Sequence, residues 1–195
     1  NINTVPVLDV RRSFSNKIIY DRSYSDNPKI VSKIGKLCIK YFHKYGIATV
    51  IKHIPGHGLS TTDSHKKLPI ILKNIKTLNK YDFYPFKKQK SILAMTAHII
   101  YKSIDNENTA THSKKIIKII RNLIGFKKII VSDDISMKAL KYSIEENTTR
   151  AFSAGCNIVL HCNANHREMI LVAKNSPFVS DFILKKTSNL INIVR

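Results

Sequence analysis

Ala48-Thr49-Val50-Ile51-Lys52-His53-Ile54-Pro55-Gly56-His57-Gly58 begins as a short apolar run and opens into a loop of histidines, glycines and a proline. A run with no polar alternation reads as a strand buried on both faces, which belongs in a parallel sheet. The loop continues to Pro69 and carries Asp63-Ser64-His65. Asp63 and His65 stand two apart, so a turn can bring the carboxylate beside the imidazole. There it orients the ring and supports its charged form, which makes a general acid/base near neutral pH. A solvated, His-rich surface loop is the competing reading. The density of titratable groups, on a backbone fixed by Pro55 and two glycines, favours a site.

The same pattern recurs outward from this stretch. Val5-Pro6-Val7-Leu8-Asp9-Val10 is an apolar run that ends on an acid. Ile92-Leu93-Ala94-Met95 runs to Ala97-His98, Lys128-Ile129-Ile130-Val131-Ser132 runs to Asp133-Asp134, and Ile158-Val159-Leu160-His161-Cys162 is the last strand. Helical patterns lie between. Asp26-Asn27-Pro28 supplies a cap and an early proline for a helix through Ile30, Ile34, Leu37, Cys38 and Tyr41, ending near Gly46. Further helices are expected over 82–90, over 113–123 with a stop at Gly125, and over 145–154 with a stop at Gly155; two more close the chain. Alternating strands and helices imply an α/β fold with a parallel sheet. Each strand ends in a polar residue: Asp9, Lys52, His98, Asp133, Asn163. Sites in barrels and in doubly wound sheets gather at those ends. About five strands are legible, whereas a closed barrel needs about eight. The sheet is therefore open, or barrel units are missing.

Composition narrows the function. The chain has 195 residues, one domain or a piece of one, with a net charge of +20. Lysine, isoleucine and asparagine are over-used throughout, and the lysines are scattered without an arginine-rich arm or interleaved aromatics. Such charge supplies only the non-specific part of nucleic-acid affinity, so no specific nucleic-acid partner is expected. Cys38, Cys156 and Cys162 form no metal spacing and no even set, which fits a reduced, cytoplasmic setting. Cys38 and Cys156 are expected in the core. No run is long enough to span a bilayer, and no signal peptide is legible. The chain does not begin with Met, so it is expected to start inside a longer protein.

Val131-Ser132-Asp133-Asp134-Ile135-Ser136-Met137 is the second loaded stretch. Acids directly after a buried strand are costly unless they act or cap. Asp133 is expected to face the mouth of the sheet as nucleophile, base or metal ligand, while Asp134 or Ser132 caps a helix over 136–140. His53 and His57 share a zinc-like spacing, but Pro55-Gly56 breaks the helix that spacing needs, so no metal is expected. Arg22, on the loop after the first run, is placed to bind an anion or ligand oxygen, or to form a surface ion pair. Gly-x-Gly-x-x-Gly, Walker and Gly-x-Ser-x-Gly motifs are absent.

These stretches together resemble the bacterial beta-N-acetylhexosaminidases of glycoside hydrolase family 3, whose usual forms are K-H-F-P-G-H-G, D-S-H and S-D-D-L-S-M. Asp21-Arg22-Ser23-Tyr24, Ala97-His98 and Ala154-Gly155-Cys156 fall in the family's order as well. The resemblance implies a TIM (β/α)8 barrel, of which 1–195 would be the C-terminal part, roughly the last five βα units. It implies retaining hydrolysis of terminal N-acetyl-beta-glucosaminyl residues, with Asp133 as nucleophile and His65 as acid/base with Asp63 as its dyad partner. Arg22, Lys52 and His53 would hold the sugar, and no cofactor is needed. The implied substrate is an N-acetylglucosamine-bearing anhydromuropeptide in cytoplasmic wall recycling. Ile54 replaces an aromatic, Thr96 a proline and Asn157 an acid. The first three strands and a D-x-E-G-G segment lie outside this sequence, so a separately encoded N-terminal fragment is an expected partner, and strand edges are expected to be exposed without it. The rival expectations are a catalytically inactive remnant or sugar-binding module, and a basic protein with a clustered positive face.

Overall fold

The computed structural model describes residues 1–12, 17–60 and 68–194. Its strands are β1 (Ile2–Asn3), β2 (Ala48–Ile54), β3 (Ile70–Ile71), β4 (Leu93–Thr96), β5 (Ile100–Tyr101), β6 (Ile129–Asp134) and β7 (Ile158–Leu160). Its helices are α1 (Lys17–Tyr20), α2 (Pro28–Lys44), α3 (Ile75–Lys80), α4 (Lys114–Ile119), α5 (Ile144–Ala154), α6 (His166–Lys174) and α7 (Asp181–Ile191). One parallel sheet runs β1-β2-β4-β6-β7, and β3 pairs with β5 in a small parallel ribbon. The sheet curls into a half-barrel, the α/β partial-barrel class expected from the sequence.

Strand alternation sorts the core into two layers. Ile51, Ala94 and Ile130 stand side by side in register and face the helices, where they join Leu8, Ile39, Ile116 and Ile120. Val50, Leu93, Met95, Ile129 and Val131 face the inside of the curl. Leu190 and Ile193, at the end of the chain, pack against that inner layer. Each fully buried Ile in the outer layer stabilises the fold by about 1.5–3 kcal/mol. By contrast, α6 and α7 contain no buried residue. Among the described residues β1 pairs only with β2 and β7 only with β6, so the sheet has two free edges. No described helix is long and apolar enough to cross a membrane.

Local sequence explains most element ends. The Asn27 side chain accepts from the Lys29 amide and Pro28 opens α2, as its missing N–H permits. Ser113 and Ser143 cap α4 and α5. Gly125, at φ +82°, ends the wider π-helical turn Ile120–Ile124 that continues α4, and Gly155, at φ +115°, ends α5, both in the left-handed conformation. Asn157, where an acid is usual, presents its amide oxygen to the Ile130 amide and the Arg121 guanidinium, at 2.9 and 2.8 Å. An acceptor oxygen is all this position requires, which is why the neutral amide fits.

Four expectations are corrected. The first sheet strand is Ile2–Asn3; the run from Val5 to Val10 joins the sheet only through a bridge from Val7 to Lys52. The helix expected over 82–90 does not form: α3 ends before it, at Lys80, and the range itself holds only a single turn at Tyr84–Phe86, because Pro85 cannot donate into a longer helix. No helix forms over 136–140, where the chain makes turns. Cys156 is buried, but Cys38 is only half-buried, its thiol 3.9 Å from the Tyr24 hydroxyl.

The approach of the first segment to the loop after β2 rests on a glycine. A Cβ on Gly58 would overlap the Val10 carbonyl, whereas one on Gly125 meets nothing within 4 Å. Gly58→Ala should therefore cost about 1–3 kcal/mol through overpacking. Gly125→Ala should cost only about 1 kcal/mol, from its backbone conformation. Chemical denaturation of both variants checks the order, and equal losses would contradict the close approach.

Candidate active site

The site is built at the C-terminal ends of the strands, beginning with Asp9. This acid is fully buried. Its Oδ1 accepts from the His57 amide at 2.8 Å, and its Oδ2 lies 2.5 Å from Nδ1 of His53. A carboxylate so placed fixes the orientation of the imidazole. His53 sits at φ +119°, a region that costs a non-glycine residue strain, and the β2–β4 register shifts between Lys52 and Ile54. In a regular strand Lys52 and His53 would point to opposite faces. The bulge turns both toward the same mouth, so that both act on the charge of Asp133.

Asp133 lies near the end of β6, next to a second register shift, with its Oδ1 accepting from the Asp134 amide at 2.9 Å. Burial pushes its pKa up. His98, His53, the Asp134 amide and Lys52 together outweigh that and hold it below the usual carboxylate range. It is therefore ionised at neutral pH, as a nucleophile must be. Lys52 donates to the Thr4 hydroxyl at 3.1 Å, and its pKa is lowered by burial and by Arg22, against the pull of Asp133 and Asp9. Arg22 is exposed and close enough to press on Lys52. Arg22, Lys52, His53 and Asp133 thus form one cluster. Asp63 and His65 lie outside the described residues. Among the described residues no three His, Cys, Asp or Glu are grouped closely enough to hold a metal ion.

Asp134 and Ser132 do not cap a helix. Asp134 Oδ1 accepts from the Ser136 amide and from the Cys162 amide, at 3.0 and 3.1 Å, tying the β6 turn to the β7 loop. Ser132 Oγ accepts from the Leu160 amide at 2.9 Å and fills the gap left by the bulge. Asn163 is exposed and binds Glu168.

Four further residues frame the site, and the sequence alone gives none of them a catalytic or binding role: Asp9, His57, Asp82 and His98. His98 is buried between Thr111 Oγ1, 2.8 Å from Nδ1, and the Asp134 carbonyl, 2.9 Å from Nε2. A carbonyl only accepts, so Nε2 carries the proton. Burial lowers the pKa of His98, and the neutral ring then accepts a hydrogen bond from the Thr111 hydroxyl on Nδ1. Burial likewise lowers the pKa of His57, which meets His53 edge-on with ring centroids 6.1 Å apart. Asp82 lies beneath the loop, with Oδ2 3.4 Å from the Leu59 amide and its backbone against Gly56. The Tyr101 hydroxyl holds the Gly56 carbonyl from the same side at 2.5 Å. The signal for Asp82 was an acid set between aromatics in Tyr81-Asp82-Phe83-Tyr84.

Residues 1–187 match the family described as the glycosyl hydrolase family 3 N terminal domain. The beta-hexosaminidase of Nitrosomonas eutropha is 34% identical over 168 residues, covering 84% of this chain and 48% of that protein. Beta-hexosaminidase A of Pseudoalteromonas piscicida is 32% identical over 178 residues, covering 82% of this chain and 30% of that protein. Among solved structures, native NagZ from Neisseria gonorrhoeae aligns with a TM-score of 0.85 at 30% identity, over 97% of this chain and 56% of that one. A family 3 beta-N-acetylglucosaminidase from a Paenibacillus strain aligns with a TM-score of 0.87 at 25% identity, over 99% and 39%. The chain thus spans half or less of the length of these two curated relatives.

Asp82 gives the site a measurable pH signature. Burial first, and the charge of Asp9 second, push its pKa from 3.8 up to about 8. Between those values the folded state binds a proton that the unfolded state has released, so stability falls as pH rises through the window. Asp82→Asn should therefore gain in melting temperature relative to the parent as pH rises from about 4 to about 8. A difference that does not change with pH would contradict a buried, protonated Asp82.

Proposed function

This chain belongs to glycosyl hydrolase family 3, and on that premise we propose that it is the nucleophile-bearing part of a beta-N-acetylglucosaminidase barrel. It hydrolyses terminal non-reducing N-acetyl-beta-glucosaminyl residues with retention, in two displacements. Asp133 attacks the anomeric carbon as the glycosidic oxygen leaves with a proton from His65. Water, giving its proton back to His65, then releases the sugar from Asp133. Asp63 orients and charges the His65 imidazole. A histidine–aspartate dyad in place of the second carboxylate suits the chemistry, because an imidazole near its ordinary pKa both gives and takes a proton at neutral pH. Arg22, Lys52 and His53 hold the hydroxyls and acetamido group of the sugar.

The observation that carries this reading is the state of Asp133: a half-buried carboxylate at the strand ends, held ionised by His53, the Asp134 amide and Lys52. The neutrality of His98 adds to it, since a ring locked between Thr111 and a carbonyl is not free to act as the acid. We place residues 1–195 as the C-terminal part of one catalytic barrel. Further strands, including one with a D-x-E-G-G segment, would pair with the free edges, from the same polypeptide or a separately encoded one. The biological substrate on this reading is an N-acetylglucosamine-bearing muropeptide, consumed in cytoplasmic cell-wall recycling.

Hydrolysis of a chromogenic N-acetyl-beta-glucosaminide, by the chain alone and combined with such an N-terminal segment, tests the proposal. Asp133→Asn should lower kcat by at least about a thousandfold, with the fold intact by circular dichroism. Turnover that survives in Asp133→Asn, or no turnover in either preparation of a folded protein, would overturn it.

A further inference from the structure

The ends of the strands opposite Asp133 carry a second concentration of charge. Lys36, Ile39, Lys40 and His43 of α2 follow one another at the spacing that puts them on one helix face. Lys88 and Lys90, on the segment entering β4, stand across from them, and the six residues line a cleft of about 500 Å³. That volume is typical of small-molecule sites. Thr49, which His43 touches, lies three to four residues before Lys52 and His53 on β2, about 10–13 Å along the strand, and none of the residues around Asp133 lines the cleft.

No acid lines the cleft, and His43 is backed by two buried hydroxyls. His43 Nε2 lies 3.1 Å from Thr49 Oγ1, which donates to Ser91 Oγ at 3.0 Å. Since the Thr49 proton goes to Ser91, the His43 ring donates to Thr49. Lys128 lies beside the lining, its ammonium donating to the Lys90 carbonyl at 3.0 Å. Lys90 and Lys186 both press on the charge of Lys128, and Lys128 presses on His43. Like charges converge here, and none of the cleft lysines forms an ion pair among the described residues. Lys88 holds φ +56°, a conformation that is uncommon outside glycine and asparagine. The helix dipole favours cations in the last turn of α2 and so accounts for His43 and, at most, its neighbours. It does not account for Lys36, Lys88, Lys90 or Lys128. A repulsive cluster of this kind is relieved by a bound anion.

We propose that this cleft binds a small multivalent phosphate, such as a triphosphate or short polyphosphate group, at the end of the sheet remote from the sugar site. Lysines from two sides suit phosphate oxygens as point charges. Single-stranded nucleic acid fits less well, because no aromatic side chain lines the cleft to stack a base. The inference stands apart from the glycosidase reading and needs no activity to test.

The test is titration of the isotope-labelled chain with inorganic tripolyphosphate at near-physiological salt, followed by amide chemical shifts and calorimetry. The expected result is saturable one-to-one binding, with shifts concentrated over 36–43 and 88–91. The triple variant Lys36→Gln, Lys88→Gln, Lys90→Gln should bind about tenfold more weakly or worse. These side chains are exposed, so the variant should fold. A control triple with equal charge loss elsewhere, Lys76→Gln, Lys102→Gln, Lys115→Gln, should bind as the parent does. Equal weakening in both variants, or no weakening in the cleft variant, would reduce the binding to the general +20 charge and overturn the proposal. Displacement of tripolyphosphate from the cleft by a stoichiometric amount of single-stranded oligonucleotide would overturn it in favour of a nucleic-acid surface.

Discussion

The buried carboxylate of Asp9 is the constraint on which the described site depends. It is fully withdrawn from water, and an acid in that position is tolerated only with hydrogen-bonding partners. Its two oxygens meet the His57 amide and the His53 ring, so one side chain ties the first segment to both ends of the Lys52–Gly58 loop. His53 keeps its strained backbone because the ring is held there. The loop is gripped from beneath as well, where Asp82 contacts Gly56 and the Leu59 amide and Tyr101 holds the Gly56 carbonyl. Two acids close together therefore do different work. The charge of Asp9 organises the histidines, and the same charge helps keep Asp82 protonated, a separation of roles by environment.

Bulges translate this anchoring into chemistry. A regular parallel strand would send Lys52 and His53 to opposite faces. The register shift in β2 collects both around Asp133, and the shift between β6 and β7 leaves Asp133 beside the sheet mouth while Ser132 fills the vacated ladder position. The hydrogen bonds of Asp134 and His98 then fix the β6 end, so Asp133 meets its cations on a rigid support. Preorganisation of this kind lets an ionised carboxylate face a reacting carbon without rearrangement of its surroundings. The opposite end of the same sheet has no such balance of charge, and its lysines converge without acids between them.

Much of the architecture was legible because it is local. Asn27-Pro28, Ser113, Gly125 and Gly155 sit where capping chemistry requires them, and the unbroken apolar runs identified a parallel sheet. The polar residues at the run ends marked the site, and Arg22, Lys52, His53 and Asp133 do gather there. What was not legible depends on distant partners. Asp9 meets a histidine 44 residues away, so its role cannot be read from Val5 to Val10 alone. Asp82 falls in a stretch that reads as helix, while its contacts come from the loop before β3. The lysine cleft is dispersed in the sequence over two distant segments, and only the fold of α2 against the β4 entrance makes it a cluster.

The central claim is that Asp133 takes the sugar. The most direct measurement is mass spectrometry of the protein, alone and combined with the proposed N-terminal segment, after reaction with an activated fluorinated N-acetylglucosaminide whose release is slow. The account predicts one added glycosyl group on the peptide containing Asp133, bound through its carboxylate and absent in Asp133→Asn. A glycosyl group carried by any other residue, or turnover of ordinary substrate with the sugar's configuration inverted, would contradict it.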